Sequence, residues 1–244
     1  MSNVSLITSG TSGIGKAIVK KIVTEAAADD LVIVNYGHND EAARQLDEEL
    51  SDRACRLVLI KADMSDYDEM IVFAQKVREE TDHIDWCVLN TGIGTYLPFE
   101  EYTIDVWRNV MDTNVTIPAF LVKELKPLFA EDSNLVFMGS HAGQAPYSSS
   151  VVYSVSKAAV MFLAKSLVKV LNDKRVAVNS IAPGFIETRW QNGRSDESYE
   201  RINRKIGAHR FGTPEEVASL CYEILNNDYL SGSCYDVHGG YDYF

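Results

Sequence analysis

Short apolar runs alternate with longer segments of helical pattern along most of this chain. The runs at 31–34 (LVIV) and 134–138 (NLVFM) are apolar at consecutive positions rather than at every second position. Consecutive apolar residues are typical of strands that are buried on both faces, as in a parallel sheet. The strands predicted in this way span 4–8, 31–36, 56–61, 86–89, 135–138, 176–180 and 233–237.

Segments of helix length lie between these strands. Those at 40–50 and 65–80 carry acidic residues in their first turns, which favour a helix N-terminus. The segment at 213–225 opens with Thr213, then Pro214, the pattern of a helix cap. The alternation predicts a doubly wound, Rossmann-like α/β fold: a parallel sheet of about seven strands with helices on both faces. Without a repeat or a linker, 1–244 is expected to form a single domain.

The composition narrows the possible partners. A net charge of −12, from 23 basic and 35 acidic residues, argues against a surface for nucleic acid or anionic lipid. No stretch is expected to reach the ~20 apolar residues that cross a bilayer, and no basic and apolar leader opens the chain. We therefore expect a cytoplasmic protein that binds neither nucleic acid nor membrane.

A glycine-rich turn, TSGTSGIG at 8–15, follows the first predicted strand and precedes a helix. The free backbone N–H groups at the start of that helix, together with its dipole, form an anion site. Gly13 and Gly15 allow the backbone to approach a ligand and the helix to pack closely on the strand. In this context the turn predicts binding of a dinucleotide pyrophosphate.

Tyr153 and Lys157 are four residues apart on a predicted helix, so they share one face. An ammonium close to a phenol is expected to lower the pKa of the tyrosine from ~10 toward neutrality. Such a tyrosine exchanges a proton with a carbonyl or alcohol oxygen. Ser140 follows a predicted strand, at the edge of the sheet where open α/β sheets bind ligands.

Further motifs occur in order along the chain: LNTG at 89–92, NSIAPGFIET at 179–188, RFGTPEEVA at 210–218 and LSGSCYDVHGG at 230–240. Together with the turn and the Tyr153–Lys157 pair, they resemble the short-chain dehydrogenase/reductase family. The likeness is to its compact single-domain branch, similar to 3-oxoacyl-[acyl-carrier-protein] reductases. The resemblance implies an oxidoreductase that transfers a hydride between a nicotinamide cofactor and a ketone or secondary alcohol.

The resemblance also implies roles for individual residues. Tyr153 would be the acid/base, and Lys157 would bind the nicotinamide ribose and lower the pKa of the tyrosine. Ser140 would hydrogen-bond the substrate oxygen, and Asn114 would anchor a water-linked proton relay to the lysine. Besides Tyr153 and Lys157, the implied cofactor contacts are Ser9, Gly10, Gly13, Ile14, Gly15, Tyr36, His38, Asp63, Asn90, Gly92, Pro183, Gly184, Ile186 and Thr188.

Three positions depart from the family pattern. Ser9 replaces the first glycine of the turn, which costs about 1 kcal/mol if a positive φ is required there. Leu89 replaces an asparagine that hydrogen-bonds between strands in the family. His238 replaces an aspartate, and we expect it to have a packing or hydrogen-bonding role rather than a catalytic one.

The end of the second strand indicates which cofactor is used. An acidic residue there would accept the adenosine 2′-hydroxyl and repel a 2′-phosphate. Tyr36 occupies that position and is followed by Gly37, His38 and Asn39. The absence of a carboxylate favours NADP(H) over NAD(H), and the absence of an arginine predicts that the preference is moderate.

The substrate is less well defined by the sequence. A small molecule is expected, in a pocket near His141, Gln144, Tyr147, Phe185 and Trp190, with the polar segment 187–207 as a lid. The alternatives are a 3-oxoacyl-carrier-protein reductase, disfavoured by the acidic segment at 127–134, and a catalytically silent nucleotide-binding module. No metal site is expected. The apolar and aromatic C-terminal segment and the family's helix pairing predict a homotetramer or homodimer.

Overall fold

The computed structural model describes residues 2–145 and 150–241, and their strands form one seven-stranded parallel sheet. The strands are β1 (Val4–Ile7), β2 (Leu31–Tyr36), β3 (Arg56–Lys61), β4 (Ile84–Leu89), β5 (Phe129–Met138), β6 (Ala177–Pro183) and β7 (Cys234–Val237). Their spatial order is β3-β2-β1-β4-β5-β6-β7, so β2 and β3 extend the sheet on one side of β1, and β4 to β7 extend it on the other side.

Eight α-helices connect these strands within the described residues. Asn39 and Asp66 cap α2 and α3 by accepting a backbone N–H, and Thr213 forms a capping box with Glu216 at the start of α8. The helices are α1 (Gly13–Glu25), α2 (Asp40–Glu49), α3 (Tyr67–Glu80), α4 (Ile104–Met111), α5 (Ile117–Leu125), α6 (Val151–Val170), α7 (Asp196–Asn203) and α8 (Pro214–Leu225).

Two apolar cores lie on opposite faces of the sheet. Residues of α3, α5 and α6 pack on one face around Phe73, Leu121 and Phe137. Residues of α1, α2 and α8 pack on the other face, where Ile18 and Ile224 are almost completely buried. Both surfaces of the sheet are therefore covered, and the prediction of a doubly wound parallel sheet is confirmed.

The boundaries of several elements differ from the prediction. β5 begins at Phe129 instead of 135, because Phe129 pairs with Ile84 before an irregularity in the ladder. The polar segment 187–207 contains a short 3₁₀ turn and α7, whose Ser195 cap accepts a hydrogen bond from the Ser198 N–H. The apolar pattern of the sequence does not predict this helix, because the helix is polar and its one buried residue is Ile202.

Helix α6 contradicts the expectation that no segment reaches the length of a membrane span. Among the described helices, it is the one that is long and apolar enough by length and composition to cross a membrane. Its inward face packs on the sheet through Val160 and Ala164, and its outward face exposes 71% of Phe162. A helix in the core of a globular protein has the same length and composition, so the absence of a membrane partner stays a prediction.

Candidate active site

A cavity of about 760 Å³ opens at the carboxyl ends of the central strands. The sequence-predicted residues that line it are Ser9, Gly13, Ile14, Asn90, Gly92, Ser140, Tyr153, Lys157, Pro183, Gly184, Ile186 and Thr188. The remaining predicted residues lie behind its wall or beyond it: Gly10, Gly15, Tyr36, His38, Asp63 and Asn114. Residues more than a hundred positions apart in sequence thus meet at the edge where parallel sheets bind ligands.

The turn after β1 has Ser9 in the left-handed region, with φ of 51°. A side chain is strained there, since Cβ approaches the following carbonyl. The Ser9 hydroxyl lies 2.8 Å from the Thr91 hydroxyl, and the Ser9 N–H donates to Asn35 Oδ1. The positive φ that the sequence left open is therefore present, and two side-chain hydrogen bonds help to hold it.

Two glycines of the turn are required by close packing. A Cβ on Gly10 would lie 2.5 Å from Val34, and one on Gly15 would lie 2.3 Å from the Ser9 carbonyl oxygen. Asn90 fastens the same turn, since its Nδ2 donates to the carbonyls of Thr8 and Ser9. These residues shape the turn, whereas Gly13, with φ of +51°, borders the cavity.

The first turn of α1 fits an anion such as a pyrophosphate. Its N-cap, Ser12, makes no side-chain hydrogen bond to the helix, unlike Asn39, Asp66 and Thr213 at other helix starts. The first backbone N–H groups of α1 therefore receive no side-chain cap, and Ser12, Gly13 and Ile14 line the cavity. Such N–H groups and the positive end of the helix dipole stabilise a bound phosphate.

Tyr153, Ser140 and Lys157 meet at the floor of the cavity. The phenol of Tyr153 hydrogen-bonds Ser140, whose Oγ also accepts the Ala142 N–H. Lys157 Nζ lies 5.7 Å from the centre of the Tyr153 ring and donates to the Met138 carbonyl at 2.8 Å. A Cβ on Gly92 would come within 2.9 Å of Lys157 Nζ, so only glycine leaves room for this ammonium.

The expected lowering of the pKa of Tyr153 is wrong for this structure. Burial raises the pKa of the phenol, and the hydrogen bond from Ser140 opposes that rise only in part. Burial also lowers the pKa of Lys157 to about 8. Lys157 Nζ lies 5.7 Å from the centre of the ring, and desolvation is the largest influence on the pKa of the phenol. The raised pKa keeps Tyr153 in its neutral phenol form at pH 7.

Asn114 is buried behind the cavity, in a five-residue π-helical turn between α4 and α5. Its Nδ2 donates to the Ile93 carbonyl and to Ser156 Oγ, and its Oδ1 accepts the Ile93 N–H. These contacts fasten the segment after β4 to α6. π-Helical turns of this kind are frequent at functional sites.

The ends of β2 and β3 hold charged groups that the sequence did not place together. Asp40 hydrogen-bonds the Tyr36 hydroxyl and pairs with Lys61 at 2.7 Å, and this lysine holds the pKa of the Asp40 carboxyl below its usual range. His38, in turn, pairs with Asp63 at 3.0 Å. The family's acidic position itself holds Tyr36, but Asp40 brings a carboxylate to the Tyr36 hydroxyl, and each carboxylate here has a basic partner.

Two of the residues expected around the substrate line the cavity. Phe185 and Trp190 line the cavity, and the Trp190 ring lies 5.4 Å from that of Tyr153. His141 is buried and stands behind the wall, while Gln144 Nε2 points to Cys234 Sγ. Tyr147 lies outside the described residues. The 3₁₀ turn after Ser140 directs His141 and Gln144 away from the opening.

His238 has a hydrogen-bonding role. Its Nδ1 accepts the N–H groups of Gly240 and Tyr241, and its ring lies 4.5 Å from that of His141. His141, Asp236 and His238 place ligand atoms within 4.8 Å of one another. Because Nδ1 of His238 accepts hydrogen bonds, the neutral ring carries its proton on Nε2. A protonated Nε2 does not bind a metal ion, so this arrangement disfavours a metal at His238.

Four basic residues of the lid were missed by the sequence reasoning. Arg189, Arg194, Arg201 and Lys205 line the cavity from the segment between β6 and α8. The signal that could have found them was a concentration of arginines in 189–205 in an otherwise acidic chain.

Comparison with known proteins assigns the chain to a family. The profile described as short chain dehydrogenase matches residues 3–198. The 3-oxoacyl-[acyl-carrier-protein] reductase FabG of Aquifex aeolicus is 32% identical over 97% of this chain and 96% of its own. The acetoacetyl-CoA reductase of Rhizobium meliloti is 31% identical over 98% of both chains.

A solved structure gives the same result. The Pseudomonas aeruginosa RhlG/NADP active-site complex superposes with a TM-score of 0.89 and 28% identity, over 98% of this chain and 96% of the other. The likeness thus covers the sheet, the phosphate turn and the Tyr153–Lys157 helix together. This chain belongs to the short-chain dehydrogenase family and is an NAD(P)-dependent oxidoreductase.

Proposed function

We propose that the protein reduces a carbonyl group of a small molecule at the expense of NADPH, with Tyr153 as the proton donor. The observation that carries this proposal is the buried phenol, hydrogen-bonded to Ser140 and followed one turn later by Lys157. A phenol that keeps its proton at pH 7 suits the reductive direction, in which the substrate oxygen must receive a proton.

The residues around the cavity have distinct tasks in this reaction. A bound nicotinamide supplies the hydride. The first turn of α1, with Gly13 and Ile14, binds the pyrophosphate, and Thr188 closes over it from the lid side. Asn90 and Gly92 border the adenosine side, and Pro183, Gly184 and Ile186 border the nicotinamide end. Gly10 and Gly15 hold the turn in shape.

Ser140 and Tyr153 act on the substrate oxygen. Ser140 polarises the carbonyl through a hydrogen bond, and Tyr153 donates its proton to the oxygen as negative charge develops there. Lys157 stabilises the phenolate that results and holds the cofactor ribose. Asn114 keeps the segment after β4 in place beside Lys157, where a water could link the lysine to solvent.

NADPH is proposed as the preferred cofactor. His38 is 80% exposed and Lys61 is 49% exposed at the end of the sheet where Tyr36 and Asp63 lie, so two basic side chains can approach a 2′-phosphate. Asp40 and Asp63 are each paired, which reduces their repulsion of that phosphate. The preference is moderate, because no arginine clamps the phosphate.

The proposed function is tested by measuring NADPH and NADH oxidation with a panel of ketones and aldehydes. We expect turnover with at least one ketone and a lower Kd for NADPH than for NADH. Binding of either cofactor without turnover on any carbonyl would contradict the catalytic proposal. A lower Kd for NADH would contradict the cofactor proposal alone.

A 3-oxoacyl thioester is the second candidate substrate. It is favoured by the relatives, which are named as reductases of 3-oxoacyl-[acyl-carrier-protein] and acetoacetyl-CoA. The acidic segment that argued against it is partly neutralised, since Arg175 pairs with both Glu131 and Asp132. Steady-state rates with acetoacetyl-CoA and with an acyl-carrier-protein thioester distinguish the two candidates.

A homodimer or homotetramer in the cytoplasm is proposed as the working form. Helices α4 and α6 pack together and expose apolar side chains, with 60% of Ile104, 42% of Val155 and 71% of Phe162 accessible. Exposed apolar side chains on two helices that pack together favour an interface. We expect a Phe162→Asp variant to dissociate, and light scattering that shows a monomeric parent protein would contradict the proposal.

A further inference from the structure

The charge of the cavity wall is opposite to that of the protein. Among the described residues that line the cavity, five are cations, namely Lys157, Arg189, Arg194, Arg201 and Lys205, and none is Asp or Glu. The chain as a whole carries a net charge of −12. A cleft lined by one sign of charge attracts ligands of the other sign and raises their local concentration.

Two of these cations are accounted for by the proposed function. Lys157 lies at the catalytic tyrosine. Arg189 follows Thr188, whose side chain lies within ordinary contact distance of a Cβ placed on Gly13, so Arg189 is near the phosphate turn. The other three lie around α7: Arg194 precedes the helix, Arg201 belongs to it and Lys205 follows it.

Arg194 is held in place by neutral groups. Its Nε donates to Gln191 Oε1 and its Nη1 donates to Ser198 Oγ, each at 3.0 Å. Its guanidinium carbon lies 5.5 Å from the centre of the Phe185 ring, over a residue of the cavity wall. Since none of these partners is charged, the positive charge of Arg194 is positioned but not neutralised.

Other arginines of the chain are treated differently. Arg44, Arg175 and Arg210 each form ion pairs with carboxylates on the surface. In the part of the chain that the structure describes, no ion pair joins Arg194, Arg201 or Lys205 to an acidic residue. Glu187, in the same segment, accepts the Tyr199 hydroxyl, and Asp196, Glu197 and Glu200 belong to α7 itself.

We propose that the substrate carries an anionic group, a carboxylate or a phosphate, in addition to its carbonyl, and that Arg194 binds this group with help from Arg201 and Lys205. The inference rests on the proposed function and names the substrate class of that site. The guanidinium retains its Nη2 donors for an oxyanion, and partial burial strengthens the resulting charge-assisted hydrogen bonds. The carbonyl would then lie at Tyr153, beside Trp190.

Matched pairs of ketones test the proposal with NADPH as reductant. The pairs are dihydroxyacetone phosphate against dihydroxyacetone, acetoacetate against ethyl acetoacetate, and acetoacetyl-CoA against acetoacetyl-N-acetylcysteamine. We expect kcat/KM to be at least tenfold higher for the anionic member of one pair, and this advantage to shrink as salt is added. The pair that responds identifies a phosphate, a carboxylate or the phosphates of a carrier as the anion.

Two variants connect the effect to the lid. Arg194→Gln is expected to lower the anionic-to-neutral ratio of kcat/KM at least tenfold. Arg204→Gln removes an exposed cation from the same segment, outside the cavity wall, and is expected to leave the ratio unchanged. Thermal midpoints and NADPH affinities of both variants show whether they fold and bind cofactor as the parent does.

The outcomes separate this inference from the proposed function. Equal kcat/KM within every pair, or an equal fall of the ratio in both variants, would overturn the anionic substrate while leaving carbonyl reduction intact. If the protein binds NADPH but reduces no member of any pair and no carbonyl of the wider panel, carbonyl reduction itself fails and the inference fails with it. Reduction of other carbonyls in the panel but of no anionic member of a pair would overturn the anionic substrate alone.

Discussion

The two ends of the active-site cleft carry charge in different ways. At the proposed adenosine end, Asp40 forms an ion pair with Lys61 and Asp63 hydrogen-bonds His38, so each carboxylate has a basic partner. At the substrate end, the cations of the lid have no carboxylate partner among the described residues. A paired end binds a ligand with little electrostatic bias, whereas an unpaired end selects for an anion.

The two ends also differ in burial. His38 and Lys61 are exposed, whereas Lys157 is buried and Tyr153 is half-buried, and desolvation shifts the pKa values of both of these groups. Placing a charge in the protein interior costs free energy. Once it has formed, the charge interacts strongly with nearby groups, because the interior screens it weakly. Mutations at the floor of the cleft should therefore have larger effects than mutations at the adenosine end.

The largest effect is expected from Tyr153→Phe. The substitution removes the proposed proton donor and leaves the ring in place, so kcat should fall at least a hundredfold while the Kd of NADPH changes little. Single-turnover NADPH oxidation and a binding titration measure the two quantities. If kcat of the variant is less than tenfold lower than that of the parent, another residue is the acid.

Lys157→Met is expected to abolish turnover and to stabilise the protein without cofactor. The pKa of this lysine falls from 10.5 to about 8 on folding, so below pH 8 the folded state carries a buried ammonium. Between about pH 8 and 10.5 the lysine is protonated in the unfolded chain and neutral in the folded chain. The contribution of Lys157 to the free energy of unfolding of the parent therefore rises with pH in this range.

The variant should therefore gain about 1 kcal/mol at pH 7 and less at pH 10, where the parent has shed the charge. Thermal unfolding of both proteins at the two pH values measures this difference. Lys174→Met, at a partly exposed lysine outside the cleft, serves as the control. A difference in stability between the parent and Lys157→Met that is the same at pH 7 and at pH 10 would show that Lys157 keeps its ordinary pKa.

A smaller effect is expected from Tyr36→Asp at the adenosine end. The new carboxylate would accept the adenosine 2′-hydroxyl and repel a 2′-phosphate, shifting the ratio of Kd values at least tenfold toward NADH, or ~1.4 kcal/mol. Asn39→Asp, at the cap of α2, is a control for the general effect of added negative charge. Equal shifts in the two variants would show that position 36 has no special role.

The smallest effect is expected at Ser9. Ser9→Ala loses the hydrogen bond to Thr91 and keeps the strained φ, whereas Ser9→Gly loses the same bond and relieves the strain. The glycine variant should therefore be about 1 kcal/mol more stable than the alanine variant, and close to the parent. Chemical denaturation measures the difference, and equal stabilities would show that φ of 51° carries no cost here.

Much of the fold and part of the site could be predicted from local pattern. The consecutive apolar residues of β2 and β5 and the acidic first turns of α2 and α3 depend only on neighbouring residues, and the sheet followed from them. The glycine-rich turn and the Tyr153–Lys157 pair were recognisable because their spacing is short and fixed.

The amino-acid sequence by itself determined the doubly wound sheet, the family and the residues brought to the carboxyl ends of its strands. Only the tertiary structure decided that Ser9 has a positive φ, that Asp40 reaches Tyr36 and that burial raises the pKa of Tyr153. The physical reason is the distance along the chain over which each effect acts. Backbone propensity and apolar periodicity depend only on residues that are neighbours in the sequence. Desolvation and charge pairing depend on groups that come together only after folding. Tyr153 and the cations of segment 187–207, for example, line the same cavity although they are distant in sequence.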